Sequence, residues 1–141
     1  MLISEILHSK IGQVVCVSVD ASMAEATGLL HKHRIGAVLV MDGDAIAGVL
    51  SERDIVRGLH AKGAAVLDHP VRGCMTTPVA TVSPRDRVDT ALEIMTALRF
   101  RHLPVLEDGR LVGVVSIGDL VKHKIEETER EAAELKTYIS A

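Results

Sequence analysis

Gly48-Val49-Leu50-Ser51-Glu52-Arg53-Asp54 and, 65 residues later, Gly113-Val114-Val115-Ser116-Ile117-Gly118-Asp119 decide the reading of this chain. Each passes from a short apolar run through a serine to an aspartate three residues on. That pattern predicts a strand ending where a helix begins, because Ser and Asp side chains satisfy the orphan N–H groups of a first helical turn. The same place suits a phosphate, since unpaired N–H groups and the positive end of the helix dipole converge there. An ionised aspartate only accepts hydrogen bonds, so Asp54 or Asp119 suits a ribose with two vicinal hydroxyls. A plain helix cap explains the same residues, and duplication would copy a cap as readily as a site.

Working outward, the 65-residue shift lays residues 17–56 over residues 82–121 without a gap, with identities including Val17/Val82, Ala26/Ala91, Arg34/Arg99, Gly48/Gly113, Ser51/Ser116 and Asp54/Asp119. A repeat of this size is a supersecondary unit used twice. In the first copy a β-branched run predicts a strand over 14–19. Asp20-Ala21-Ser22 then starts a helix carrying Ala26, Leu29 and Leu30, and Gly36 is its expected left-handed C-cap. Strands over 37–41 and 45–50 flank the turn Asp42-Gly43-Asp44, and Ser51 opens a helix with Ile55, Val56 and Leu59. The second copy predicts a strand over 79–82, a helix from about 85 to 98, strands over 103–106 and 110–115 around Asp108-Gly109, and a helix opened by Ser116.

The order is β-α-β-β-α, twice: an α/β fold of the α+β type, with repeats expected over residues 1–63 and 64–122 and a C-terminal amphipathic helix over 123–141. Gly63, Asp68, Pro70, Gly73 and Pro78 mark the linker region. A half of about 60 residues has a marginal core of its own, so the copies are expected to pack face to face with a ligand groove between them.

Of the 141 residues 48% are apolar, yet Phe100 and Tyr138 are the only aromatics, so aliphatic side chains must fill the core. The formal net charge of −3 is interspersed, which argues against nucleic acid and membrane surfaces as partners. No apolar run approaches the roughly 20 residues that span a bilayer, and Cys16 and Cys74 are the only cysteines; the expectation is a soluble, reduced, cytoplasmic protein. The seven histidines show no metal-site spacing, and His31 and His33 at i, i+2 do not share a helix face. No dinucleotide-binding G-x-G-x-x-G, P-loop, G-x-S-x-G hydrolase or kinase motif is present, so neither an enzyme nor a required cofactor is expected. Past the second repeat, Val121, Ile125, Thr128, Ala132, Leu135 and Ile139 recur at alternating steps of four and three, with Glu126 and Arg130 on another face. Such a stripe either packs on its own domain or forms a short dimer contact.

The two Gly-h-h-Ser-x-x-Asp segments (h, apolar), the phrase Arg99-Phe100-Arg101-His102-Leu103-Pro104-Val105, the stretch Asp108-Gly109-Arg110-Leu111-Val112-Gly113 and the duplication itself resemble the cystathionine-β-synthase (CBS) domain pair, or Bateman module, of short stand-alone type. The resemblance runs from about Ile3 to Lys122. It implies a regulatory module, commonly a homodimer, that binds an adenosine-containing ligand such as AMP, ADP, ATP, NAD(H) or S-adenosylmethionine and signals to a partner protein. Carried over by position, Asp54 and Asp119 match ribose-binding aspartates, and Ser51 and Ser116 hydroxyls on the phosphate or ribose side, with Ile117 in the same segment. Cys16 and Thr81, with Gly36-Ala37 and His102-Leu103, match positions flanking the adenine. The copies differ: Arg53 stands where the second has Gly118, and Arg101-His102 where the first has Gly36-Ala37. These cations favour a phosphorylated ligand and two unequal sites. The competing expectations are a ligand-free interaction module whose Ser and Asp residues are only caps, and a redox module using Cys16 or Cys74.

Overall fold

The computed structural model describes residues 1–9, 15–99 and 101–140; the expected strand residue Val14, Phe100 of the diagnostic phrase and the last residue of the C-terminal helix lie outside them. Its elements are α1 (Ile3–Ser9), β1 (Cys16–Ser18), α2 (Met23–His33), β2 (Ala37–Asp42), β3 (Ala45–Ser51), α3 (Glu52–Lys62), α4 (Val88–Leu98), β4 (His102–Glu107), β5 (Arg110–Ser116) and α5 (Ile117–Ser140). Two 3₁₀ turns, Gly63–Asp68 and Val71–Gly73, lie between α3 and α4. The mixed sheet-and-helix order follows the β-α-β-β-α reading in the first copy and runs α-β-β-α in the second, with one helix more at the start.

The chain forms two compact units, Val14–Val79 and Met1–Gln13 with Ala80–Ala141. They differ from a division at residue 63 because contacts, not the repeat, define them. Residues preceding the first copy fold with the second, and residues preceding the second fold with the first. Each unit has its own core: Val19, Met23, Ala26, Val40, Leu50 and Val71 are buried in one, Ile3, Ile6, Ala91, Leu103, Val115 and Leu120 in the other.

In the unit Val14–Val79, β1 pairs parallel with β2, and β2 antiparallel with β3. In the other unit β4 and β5 form the equivalent hairpin. The duplication extends to backbone irregularities. A bulge falls between Val40 and Met41 in one hairpin and between Val105 and Leu106 in the other. Arg34 and Arg99 are both left-handed, at φ 54°. The tight turns differ: Gly43 has positive φ at the first turn position, whereas both Asp108 and Gly109 do so in the second hairpin, matching the type II′ and I′ requirements of two-residue loops.

Three expectations need correcting. The C-cap of α2 is Arg34, not Gly36. The Arg34 N–H donates to His31 and the Ile35 N–H to Leu30, a Schellman arrangement sealed by apolar residues at Leu30 and Ile35. The helix expected from about residue 85 begins at Val88, because Asp86 accepts from the Ser83 N–H and Ser83 Oγ from the Arg85 N–H, closing a turn first. The strand expected over 79–82 is reduced to one bridge, Val82 to Val105. In the first copy the Leu39 N–H donates to Val15 and the Val19 N–H to Met41. The corresponding donors are Pro104 and Pro84, which have no N–H, so both outer bonds are lost and only the central ones form.

The helix opened by Ser116 and the C-terminal amphipathic segment are one helix, α5, of 24 residues. No glycine or proline interrupts it after Gly118. Its first turns are anchored by the buried Leu120 and by the Lys124 Nζ to Asp89 Oδ1 pair at 3.0 Å.

The motif glycines answer to close approaches. A Cβ on Gly48 would lie 2.8 Å from the Thr76 carbonyl oxygen and 2.7 Å from Met75 Sδ; one on Gly113 would lie 2.7 Å from Leu7 Cδ2. Backbone cannot yield as a leucine tip can. Gly48→Ala is therefore expected to lower stability by about 1–3 kcal/mol in urea unfolding and Gly113→Ala by clearly less. Arg99→Gly, which relieves a left-handed non-glycine residue, is expected to raise the melting temperature slightly, by the equivalent of about 0.5–1 kcal/mol.

Candidate functional site

Each copy gathers its candidate residues at one end of its hairpin. In the second copy His102 opens β4 opposite Ser116, the last residue of β5, and the Ile117 N–H donates to the Arg101 carbonyl at 2.8 Å. Arg101, His102, Ser116, Ile117 and Asp119 are thus neighbours. The first copy repeats this with Ala37 opposite Ser51 and the Glu52 N–H donating to Gly36 at 3.0 Å, which brings Gly36, Ala37, Ser51, Arg53 and Asp54 together. Cys16 enters beside Leu39 through the parallel β1–β2 pairing. Thr81 precedes the bridge residue Val82 at the matching place.

The serines and aspartates form reciprocal caps. Ser51 N–H donates to Asp54 Oδ2 at 2.9 Å and Asp54 N–H to Ser51 Oγ at 3.4 Å. Ser116 N–H donates to Asp119 Oδ2 at 3.0 Å and Asp119 N–H to Ser116 Oγ at 3.1 Å. In each helix the first N–H is held by the carbonyl of residue 36 or 101, and the third by the serine. Two first-turn donors per copy are engaged, so the helix starts offer a phosphate less than bare helix termini would.

The two aspartates differ in burial. Asp54 is 3% exposed, and its second oxygen, Oδ1, accepts from Thr76 Oγ1 at 3.0 Å and Arg57 Nη1 at 3.2 Å. Ser51 Oγ adds a donor to Oδ2 at 3.1 Å. Four donors therefore surround the buried carboxylate and satisfy its hydrogen-bonding capacity from within the protein. Asp119 is half-buried. Thr76 also exchanges both backbone hydrogen bonds with Val49, 3.1 and 2.8 Å, extending the sheet past β3. Thr76 and Arg57 were missed from sequence. Arg57 lies three residues beyond Asp54 on α3, a spacing that could have flagged it, but Thr76 comes 22 residues on from beyond a loop and carries no local signal.

Exposure sorts the remaining residues. Arg53, Thr81, Arg101 and Ile117 are exposed, and Gly36, Ala37, Ser51, His102 and Ser116 half-buried. Leu103 is fully buried within its own core, so its side chain is packing and only its backbone can serve a ligand. Cys16 and Cys74 are both free thiols. Crowding around Cys16 raises its pKa above the ordinary value, which lowers the thiolate fraction that redox chemistry needs. Among the described residues no three His, Cys, Asp or Glu side chains gather as a metal site would require, and no helix is long and apolar enough to cross a membrane.

Removing the Asp54 carboxylate would leave half-buried donors on Ser51 and Thr76 without this acceptor. Asp54→Ala is expected to lower stability by about 2–3 kcal/mol in urea unfolding, Thr76→Val by about 1 kcal/mol, and Asp119→Ala by about 1 kcal/mol.

The model of the CBS domain matches residues 3–61 and 71–126. The CBS domain-containing protein CBSX3 of Arabidopsis thaliana is 32% identical over 97% of this chain and 71% of its own length. Among solved structures, a CBS-domain protein from Agrobacterium tumefaciens is 43% identical, with a TM-score of 0.85 over 88% of this chain and 99% of that one. A CBS domain protein from Pyrobaculum aerophilum, solved in complex with AMP, is 31% identical, with a TM-score of 0.74 over 84% of this chain and 89% of that one. Two matched repeats in one chain, capped alike and bulged alike, make it a tandem member of the CBS-domain family.

Proposed function

We propose that the chain is a regulatory module, not an enzyme, that binds an adenosine-containing nucleotide and, as a homodimer, relays that state to a partner protein. The supporting observation is the AMP complex of the Pyrobaculum aerophilum protein, whose fold and 31% identity extend over most of this chain. The second copy is the better ribose site. Asp119 is half-buried and neighbours Arg101 and His102 at the hairpin end, whereas Asp54 is 3% exposed. A ribose would have to reach Asp54 through the packing that covers it. Arg101 supplies charge for a phosphate, with His102 adding more when protonated. Signalling requires that the ligand bind two conformations of the module unequally.

Thermal melting and isothermal titration against AMP, ADP, ATP, NAD⁺, NADH and S-adenosylmethionine test this. A ligand at 100 times its Kd is expected to stabilise the fold by about 2.7 kcal/mol, a shift of several degrees. Asp119→Ala is expected to weaken binding about tenfold or more, roughly 1.4 kcal/mol, while Asp54→Asn changes stability more than affinity. No response to any of the six would overturn the nucleotide reading and leave a ligand-free interaction module.

A further inference from the structure

The apolar stripe of α5 does not face the chain's own core. Leu120 is buried and His123, Lys124 and Glu127 are half-buried, so these mark the inward face. At 100° per residue, Val121, Ile125, Thr128, Ala132, Leu135 and Ile139 centre about 100° round the helix from Leu120. They are open: Val121 is 43% exposed, Ile125 53%, Leu135 60% and Ile139 74%. Every residue from 128 to 140 is exposed. Thirteen residues of helix without packing are marginal in water, where isolated helices under about 12–15 residues barely hold.

The steps of four and three make these residues successive d and a positions of a heptad. The e positions are then Lys122, Glu129 and Lys136, and the g positions Lys124, Glu131 and Tyr138. Two copies in parallel and in register bring each g residue to the e residue five further on: Lys124 meets Glu129 of the partner subunit, and Glu131 meets Lys136 of the partner subunit. Both pairs are opposite in charge. Full antiparallel overlap sets Glu129 against the partner's Glu129, Glu131 against the partner's Glu131 and Lys122 against the partner's Lys136. All three are like-charged. Because Lys124 already bonds Asp89 within the chain, the pair of Glu131 with the partner's Lys136 discriminates most.

We propose that the C-terminal part of α5 pairs with the same segment of a second copy as a short, parallel, in-register coiled coil. Thr128 and Ala132 thin the middle of the seam, so the association is reversible, and its charge pairs set orientation more than affinity. The inference rests on the homodimeric part of the proposed function and is independent of the ligand.

The test uses the full-length chain with Cys16→Ser and Cys74→Ser, adding either Thr128→Cys or Leu135→Cys. Parallel in-register pairing places each new thiol beside its own copy, within disulfide reach; each single variant is expected to cross-link to a dimer under mild oxidation. Sedimentation should show Leu135→Asp weakening the dimer at least tenfold with circular dichroism nearly unchanged. Glu131→Lys should weaken it at low salt and Glu131→Lys with Lys136→Glu restore it. Cross-linking of Leu135→Cys only when mixed with an Ile125→Cys chain would show antiparallel pairing and overturn the inference. A dimer indifferent to Leu135→Asp would overturn it while sparing the homodimer; a monomer at all concentrations would overturn both, and neither result touches nucleotide binding.

Discussion

Where each hairpin becomes a helix, a serine and an aspartate three residues apart exchange hydrogen bonds, and the rest of each copy is arranged around that exchange. The cap stops the strand and starts the helix at a set residue. The first helical N–H then reaches back to the residue before the hairpin's opening strand. That second bond closes the hairpin end and places residues 36–37 or 101–102 beside the cap. The glycine three residues before the serine admits a neighbouring segment at a distance no side chain allows. Cap, closure and approach together produce a polar corner at which a ligand can meet a carboxylate.

The same construction is buried to different depths in the two copies. In the first copy the corner is filled from within, because Thr76 and Arg57 complete the coordination of Asp54. A carboxylate so enclosed is a structural fastener holding residues after the 3₁₀ turns to β3 and α3. In the second copy Leu7 of α1 approaches Gly113, and Asp119 is only half-buried. Residues that are identical in sequence thus differ in burial because of what is packed beside them.

The fold was legible because its signals are local and doubled. Ser22, Ser51 and Ser116 announce helix starts, Asp42-Gly43-Asp44 and Asp108-Gly109 the turns, and the 65-residue identity register aligns all of them. The shortened strand was legible in principle as well, since Pro84 and Pro104 remove the two donors that would have lengthened the second copy's first strand. Features decided by distant residues were not legible. Nothing near Asp54 in sequence foretells Thr76, nothing in Leu103 separates a core residue from a ligand neighbour, and Gly36 drew attention from Arg34, where the left-handed turn falls. The stripe on α5 was visible as a pattern, but its direction relative to the buried face needed three dimensions.

The assignment of α1 to the unit formed by the second copy bears on how the protein is made. The unit Val14–Val79 is one uninterrupted stretch, complete once its last residue has left the ribosome. The other unit is split by that stretch, and Ile3 and Ile6 precede the strands and helices they pack with by more than 70 residues, so they stay apolar and uncovered until those have been made. Domains usually fold in the order they are made. Here a segment made before the unit Val14–Val79 finds its place only after that unit is complete, and the wait is a vulnerable interval during synthesis.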